Sequence, residues 1–156
     1  MRLLFVCSGN ICRSAMAVEY ARHRFAAAGL EEVVSDSAGT LGIEGERASR
    51  EAGQVLREAG LDLSLHRSKG LEGADPCGAD LVIGMERSHL DEVGRRCGAG
   101  APRRLLLRAF ESGPDPREGA PELDDPIGGP IEEYRECFAT IRICVDHIAD
   151  HLRNRT

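Results

Sequence analysis

Hydrophobic and polar positions along the chain follow the two periods that distinguish strands from helices. Short apolar runs bounded by turn residues predict four strands, at residues 3–6, 33–34, 81–83 and 105–107. Apolar residues that recur at steps of three and four predict three amphipathic helices, at residues 14–28, 48–59 and 131–152. The first two helices are followed by Gly29 and Gly60, and a helix C terminus favours glycine.

The alternation of strands and helices determines the expected fold class. Parallel strands joined by helical crossovers form a sheet that is covered on both faces. We therefore expect one α/β domain over residues 1–156, with a four-stranded parallel sheet in the flavodoxin-like strand order 2-1-3-4. Residues 111–130 hold five of the seven prolines, so we expect them to form a long loop of the kind that often carries function.

Composition and charge narrow the classes of function. The 156 residues are 42% hydrophobic and 29% charged, as in an ordinary globular domain, and the net charge of −6 argues against a general nucleic-acid binder. No run approaches the ~20 apolar residues that cross a bilayer, and the apolar run after Arg2 is too short for a signal peptide. We expect a cytoplasmic protein with no cofactor, metal, nucleic-acid partner or membrane contact.

Residues 7–14, Cys-Ser-Gly-Asn-Ile-Cys-Arg-Ser, join the first predicted strand to the first helix and carry the candidate chemistry. At this place in a parallel sheet, backbone N–H groups and a helix N terminus bind anions. Gly9 and Asn10 permit the tight backbone that such a nest needs. Arg13 is suited to hold two phosphate oxygens, and the same environment favours the nucleophilic thiolate of Cys7. A buried cysteine with a solvated arginine is the alternative interpretation.

A carboxyl group on the long loop completes the candidate chemistry. Asp125 precedes Pro126, which holds the aspartate extended and away from a helix. Such a side chain is suited to protonate an oxygen that leaves phosphorus and then to accept a proton from water. An ordinary turn is the alternative, because Asp-Pro is common in loops.

Together these segments resemble the low-molecular-weight protein tyrosine phosphatase family over nearly the whole chain. The resemblance rests on residues 7–14, 36–40, 60–68 and 124–126. It implies Cys7 as nucleophile, Arg13 as phosphate clamp and Asp125 as general acid and base. It also implies that a network supports the loop, formed by Asn10, Ser14, Ser37 and His66. The positions that it implies for substrate contact are Ser8, Gly9, Asn10, Ile11, Cys12, Ser14, Leu41 and Ile127.

Two specificity signals disagree within this resemblance. The segment Ile127-Gly128-Gly129 resembles a bacterial branch that includes protein arginine phosphatases, but those enzymes carry threonine at the position of Ile11. A branched apolar side chain at position 11 suits a flat phenyl ring better than a polar guanidinium. We therefore expect a phosphotyrosine phosphatase, with a protein arginine phosphatase as the alternative. The expected partner is a phosphorylated protein or peptide, and the expected state is a monomer or weak dimer.

The remaining cysteines bear on further alternatives. The six cysteines are expected to be thiols, given the expected cytoplasmic location. The resemblance leaves open whether Cys12 packs in the core or forms a protective, reversible disulfide with Cys7. Arsenate reductases of this fold need two redox cysteines just after the third strand. Cys77 and Cys97 lie elsewhere, which disfavours that chemistry, and the complete catalytic set disfavours a non-catalytic phosphate-binding module.

A last group of candidate ligands lies on the final helix. Cys144, His147 and His151 occur at spacings that resemble those of a metal site. They flank the apolar stripe without an evident fourth ligand, so we expect them to hold incidental surface positions.

Overall fold

The computed structural model describes residues 1–155 and is built around a parallel sheet. Its four strands are β1 Arg2–Cys7, β2 Val34–Gly39, β3 Leu81–Gly84 and β4 Arg103–Leu106. They are hydrogen-bonded in the order β2-β1-β3-β4, and every adjacent pair is parallel. The predicted fold class and strand order are therefore confirmed.

Five α-helices connect and cover these strands within the described residues. They are α1 Arg13–Ala27, α2 Arg50–Glu58, α3 Leu71–Ala74, α4 Arg87–Cys97 and α5 Ile131–Arg153. The three predicted helices correspond to α1, α2 and α5. The fourth strand begins at Arg103, earlier than predicted, and ends at Leu106 because the 3-10 turn Leu107–Phe110 follows it.

Helix α4 was not predicted, because its apolar pattern is sparse. Only His89 and Val93 of its residues are buried, and its arginine and carboxylate side chains dominate the sequence. A capping box forms its start: the side chains of Glu86 and His89 each accept a hydrogen from the other residue's backbone N–H. Tertiary contacts with β3 and β4 stabilise a helix whose own sequence signal is weak.

Residues of β1 alternate between two apolar cores, one on each face of the sheet. Leu3 and Phe5 pack in the larger core, which includes buried residues of α1, α2 and α5. Leu4 and Val6 pack in the smaller core, which includes residues of α3 and α4. Every residue from Leu3 to Cys7 is buried, as expected for a central strand of a covered parallel sheet. This burial fixes the end of β1, and hence residues 7–14, in the middle of the sheet.

The expectation that all six cysteines are thiols is wrong for one pair. Cys77 and Cys97 form a disulfide with a Cα–Cα distance of 5.4 Å, whereas the other four cysteines are free. Cys77 lies in the 3-10 turn before β3, and Cys97 is the last residue of α4. The return of α4 along the sheet brings them together, and their separation of 20 residues does not reveal this.

The expected surface positions on α5 are also wrong for two of the three residues. Cys144 is fully buried and His151 is buried beside Phe110, with ring centroids 5.4 Å apart. His147 hydrogen-bonds through Nδ1 to the Phe110 carbonyl at 2.6 Å. Cys144 and His151 therefore belong to the buried stripe of α5, and His147 lies half-buried beside it. Within residues 1–155, no group of three or more histidine, cysteine or carboxylate side chains is arranged to hold a metal ion.

Within residues 1–155, none of the helices combines the length and the apolar composition that a membrane span requires.

Candidate active site

Residues 7–14, called the phosphate loop from here on, curl at the carboxyl end of β1 and lead directly into α1. Asn10 adopts a left-handed backbone with φ of 58°. The end of β2 lies so close that a Cβ atom on Gly39 would stand 2.5 Å from the Ser8 carbonyl oxygen. Glycine is therefore required at position 39, and the loop is pressed against the neighbouring strand.

The side chain and carbonyl of Asn10 hold the phosphate loop from inside. Its amide nitrogen donates to Ser14 Oγ at 2.8 Å and to Ser37 Oγ at 2.9 Å. Its amide oxygen accepts from the Lys69 backbone N–H at 3.1 Å, and its carbonyl lies 2.7 Å from His66 Nε2. The structure thus brings together the four residues predicted to form a supporting network. Asn10 is fully buried, and its side-chain hydrogen-bonding groups are satisfied.

The sulfur of Cys7 lies at the centre of the loop and is almost fully buried. The Asn10 backbone N–H donates to it at 3.2 Å, and Ser14 Oγ lies 2.9 Å away. Because Ser14 Oγ already accepts from Asn10, the serine hydrogen is available for the sulfur. Two donors directed at one sulfur stabilise a thiolate.

Arg13, the first residue of α1, is held at one end of its guanidinium. Nη1 donates to Glu86 Oε2 at 2.6 Å and to the Leu123 carbonyl at 2.7 Å. Nη2 has only longer contacts, 3.5 Å to Ser8 Oγ and 3.4 Å to Asp125 Oδ2. Nε is buried and has no partner in the described part of the chain. Nε and Nη2 form one edge of the guanidinium, so the edge suited to bidentate anion binding is largely unused.

Several backbone N–H groups of the phosphate loop also lack a hydrogen-bond acceptor among the described residues. The N–H groups of Gly9, Ile11 and Cys12 donate to no acceptor within residues 1–155. Together with the free edge of Arg13 and the N terminus of α1, they give the loop that holds Cys7 a set of hydrogen-bond donors without acceptors among the described residues. Such a concave set of donors is suited to the oxygens of a phosphate group.

Asp125 reaches this site from the long loop 111–130, called the acid loop from here on. The loop is attached just beyond the end of β3 by the Leu123 N–H, which donates to the Met85 carbonyl at 2.9 Å. The Asp125 carboxylate is 35% exposed, and its Oδ1 accepts from the Ile127 N–H at 3.1 Å. Asp124 beside it is exposed and has no side-chain hydrogen bond within residues 1–155. Asp125 is therefore the acid-loop carboxylate that approaches Arg13.

Comparison with known proteins determines the family. The family model described as low molecular weight phosphotyrosine protein phosphatase matches residues 2–156. The chain belongs to this family.

The relatives include enzymes named for two different substrates. A protein-arginine-phosphatase from Geobacillus stearothermophilus is 35% identical over 152 residues, which cover 97% of this chain and 96% of that protein. The low molecular weight protein-tyrosine phosphatase A of Mycobacterium bovis is 35% identical over 159 residues, which cover 99% of this chain and 93% of that protein. Sequence identity alone therefore does not separate the members named for the two substrates.

A solved structure also resembles this chain in its fold. It is a cysteine-to-serine mutant of the YwlE arginine phosphatase that carries a phosphorylated active-site serine. It superposes with a TM-score of 0.88 at 26% identity, covering 98% of this chain and 96% of that chain. In that family member, therefore, a side chain of the active site carries a phosphoryl group.

In the present chain, the residues expected to contact substrate fall into two groups. Ser8, Gly9, Asn10, Cys12 and Ser14 lie in the phosphate loop itself, and Ile11 in the same loop is half-buried. Leu41 and Ile127 are 67% and 52% exposed, and the Leu41 N–H donates to the Ser8 carbonyl at 3.0 Å. Both side chains are aliphatic, so neither provides an aromatic ring for substrate stacking.

The thiol of Cys12 is held away from solvent by its own contacts. Its sulfur donates to Ser49 Oγ at 3.3 Å and lies 3.6 Å from the Tyr134 hydroxyl. Burial raises the pKa of this thiol, so Cys12 remains protonated at neutral pH. Cys12 is thus a buried, packed thiol in this structure, and its reversible disulfide with Cys7 remains a prediction.

Three site residues were missed by sequence reasoning: Glu86, His89 and Leu123. Glu86 and Leu123 bind the Nη1 end of Arg13, and His89 Nε2 lies 2.9 Å from Ser8 Oγ. Glu86 follows β3, so its place at the carboxyl edge of the sheet was a usable signal. The Glu-x-x-His spacing of the capping box was a second signal for Glu86 and His89. No sequence signal distinguishes the Leu123 carbonyl.

Proposed function

We propose that this chain is a protein phosphatase that hydrolyses phosphotyrosine through a phosphocysteine intermediate on Cys7. The observation that carries the proposal is the Arg13 guanidinium, which is buried, anchored at Nη1 and, within residues 1–155, without a partner at Nε. A buried donor without a partner is costly unless a ligand satisfies it. A bound phosphoryl group supplies acceptors for this edge and for the free backbone N–H groups of the loop.

In the first step the Cys7 thiolate attacks phosphorus, and a sulfur–phosphorus bond forms. The bond from phosphorus to the ester oxygen breaks, and Asp125 donates its proton to that oxygen, so a neutral phenol leaves. Arg13 and the loop N–H groups stabilise the negative charge on the equatorial oxygens of the transferring phosphoryl group.

In the second step water attacks the phosphocysteine. The Asp125 carboxylate takes a proton from the attacking water, the phosphorus–sulfur bond breaks, and inorganic phosphate and the Cys7 thiolate are released. Ser14 Oγ, which lies 2.9 Å from the sulfur, donates to the departing thiolate and lowers the barrier to its release. The phosphorylated active-site serine in the YwlE mutant supports an intermediate of this kind.

Replacement of Cys7 by serine tests the enzyme proposal. We expect hydrolysis of an aryl phosphate to fall by about 10⁴-fold or more, because an unactivated hydroxyl replaces the thiolate. Cys144→Ala is the matched control, since that free thiol is buried on α5 and lies outside the phosphate loop. Full activity in Cys7→Ser, or none in the parent protein, would refute the proposal.

The preference for phosphotyrosine rests on the side chain at position 11. Ile11 is half-buried in the loop, and part of its side chain packs against the larger core. The exposed part is apolar and offers the substrate no hydrogen-bonding group. A phenyl ring fits such a surface, whereas a guanidinium buried against it would lose hydrogen bonds to water. The relative named protein-arginine-phosphatase makes phosphoarginine the second candidate substrate.

Two matched phosphopeptides distinguish these substrates. We expect kcat/KM to be higher for a phosphotyrosine peptide than for the same peptide with phosphoarginine. Ile11→Thr is expected to bring the two kcat/KM values closer together. Ile11→Val is the control that keeps an aliphatic side chain. A preference of the parent protein for phosphoarginine would overturn the assignment of phosphotyrosine.

We also propose a cytoplasmic location and a monomeric or weakly dimeric state. An attacking thiolate must remain reduced to act, and four of the six cysteines are free. Both observations support a reducing compartment, in which the Cys77–Cys97 disulfide is an exception. Subcellular fractionation and sedimentation at several protein concentrations test the two statements. Recovery outside the cytoplasm, or a tight oligomer, would refute them.

A further inference from the structure

The start of α4 fixes which nitrogen of His89 carries its hydrogen. His89 Nδ1 lies 3.0 Å from the Glu86 backbone nitrogen, which donates its N–H to the ring. Nδ1 is therefore the acceptor, and in the neutral ring the hydrogen resides on Nε2. The ring is 1% exposed, so this arrangement is held within the protein.

This tautomer determines the role of the Ser8 hydroxyl. His89 Nε2 lies 2.9 Å from Ser8 Oγ and donates to it, while Arg13 Nη2 approaches the same oxygen at 3.5 Å. Both neighbours are donors, so Ser8 Oγ acts as an acceptor toward each of them. Its own hydrogen has no acceptor among the residues that the structure describes. Ser8 belongs to the phosphate loop, where an anion would supply that acceptor.

We infer that His89 is a positioning residue that holds the Ser8 hydroxyl as a hydrogen-bond donor to an oxygen of the phosphate bound in the loop. The inference deepens the proposed function, on which it rests for the identity of the ligand. Glu86 connects two elements of the site, since its carboxylate binds Arg13 and its backbone N–H orients His89. One residue at the start of α4 therefore orients both Arg13 and His89.

The surroundings of His89 favour its neutral form. Burial and the nearby Arg13 lower its pKa, and they outweigh the opposing carboxylates Glu86, Glu122 and Asp125. A proton added at Nδ1 would face the Glu86 N–H, so protonation breaks the contact that orients the ring. The contribution of Ser8 to phosphate binding is therefore expected to decline at acid pH.

Two substitutions of His89 separate its two contacts. Asn places an amide oxygen near the position of Nδ1 and keeps the cap, but it does not reach Ser8. Gln places an amide nitrogen near the position of Nε2 and keeps the donor to Ser8. The measurement is binding of inorganic phosphate by calorimetry, because it requires no turnover. We expect Ser8→Ala and His89→Asn each to weaken binding by about 10-fold, and His89→Gln to restore most of it.

A double variant shows whether His89 acts through Ser8. The inference requires Ser8→Ala combined with His89→Asn to bind phosphate as weakly as Ser8→Ala alone, because one interaction is removed in both. Ser88→Ala, an exposed serine on the same helix, is the matched control and is expected to bind like the parent. The affinity ratio of parent to Ser8→Ala is expected to narrow as pH falls.

The outcomes separate this inference from the proposed function. If the losses of phosphate affinity in Ser8→Ala and His89→Asn multiply in the double variant, His89 does not act through Ser8 and the inference is overturned. If His89→Asn binds phosphate like the parent, His89 only caps α4, and the inference is overturned as well. An active parent with unaffected variants refutes the inference alone. Phosphate binding with the expected pattern but no hydrolysis of an aryl phosphate refutes the proposed function alone. A parent that does not bind phosphate refutes the inference as stated.

Discussion

The phosphate loop and the acid loop meet at Arg13, but they are held in opposite ways. In the phosphate loop, Asn10, Arg13 and Ser14 are at most 1% exposed, and Asn10 alone forms hydrogen bonds with five other residues. In the acid loop, the Asp125 carboxylate is 35% exposed and its contact with Arg13 is 3.4 Å. Asp124, Asp125 and Pro126 also border a cavity of about 420 Å³ against α5.

This difference corresponds to two chemical tasks. A nest that stabilises charge in a transition state must be arranged before the reaction, and burial with many hydrogen bonds provides that rigidity. A general acid and base must exchange protons with leaving group and water, so it benefits from exposure. We therefore expect substitutions in the phosphate loop to affect both activity and stability. Substitutions at Asp125 should affect activity with little change in stability.

Among the substitutions that test this comparison, the largest effect is expected at Arg13. Arg13→Lys is expected to lower kcat/KM for an aryl phosphate by about 10³-fold, since a lysine cannot present two donors along one edge. Loss of the contacts to Glu86 and the Leu123 carbonyl should also lower the free energy of unfolding by about 1 to 3 kcal/mol. Kinetics and urea denaturation measure the two effects. Arg50→Lys, on the exposed start of α2, is the control, and an unchanged stability in Arg13→Lys would contradict the comparison.

Asp125 should give the next largest loss of activity. Asp125→Asn removes the transferable proton, and we expect kcat to fall by about 10²-fold. The free energy of unfolding should change by less than about 0.5 kcal/mol, because the side chain is partly exposed. The matched control is Asp124→Asn, its exposed neighbour, which should keep parent activity. Equal losses in the two variants would show that charge on the loop, and not Asp125 itself, is what matters.

His66 tests the support beneath the phosphate loop. His66→Ala removes the partner of the Asn10 carbonyl, and we expect kcat/KM to fall by about 10-fold. Burial lowers the pKa of His66, so the unfolded chain takes up a proton more readily than the folded protein. Neutral His66 therefore contributes to the free energy of unfolding above pH about 6.5, and this contribution is lost as pH falls. Urea denaturation of the parent between pH 7 and 5 should show this loss, and His66→Ala should show less of it.

The smallest effect on activity is expected from the Cys77–Cys97 disulfide. Cys97 ends α4, about 15 Å along the helix from Glu86, so a thiol reductant should change kcat by less than about twofold. The free energy of unfolding should fall by about 3 kcal/mol on reduction, as expected for a closed loop of this length. Cys77→Ser, which lacks the bond, should show no such response in denaturation. A large loss of activity on reduction would mean that α4 transmits the change to the site.

The sequence predicted well those elements whose signals are local. The apolar run of β1 and the steps of three and four in α5 each reflect burial of one contiguous segment, and both elements lie close to where they were predicted. Helix α4 was missed for the converse reason, since its position depends on contacts with β3 and β4 and on the capping box at Glu86. The disulfide was missed because its cysteines meet only when α4 folds back along the sheet.

By itself, the sequence determined the fold class, the place of residues 7–14 between β1 and α1, and the residue types expected to bind and attack a phosphate. Only the tertiary structure decided what surrounds Arg13. Glu86 and the Leu123 carbonyl contact it across 73 and 110 residues, and His89 reaches Ser8 across 81. Contacts at such separations depend on the placement of β3 beside β1. Burial along the whole sheet sets that placement, and no single segment encodes it.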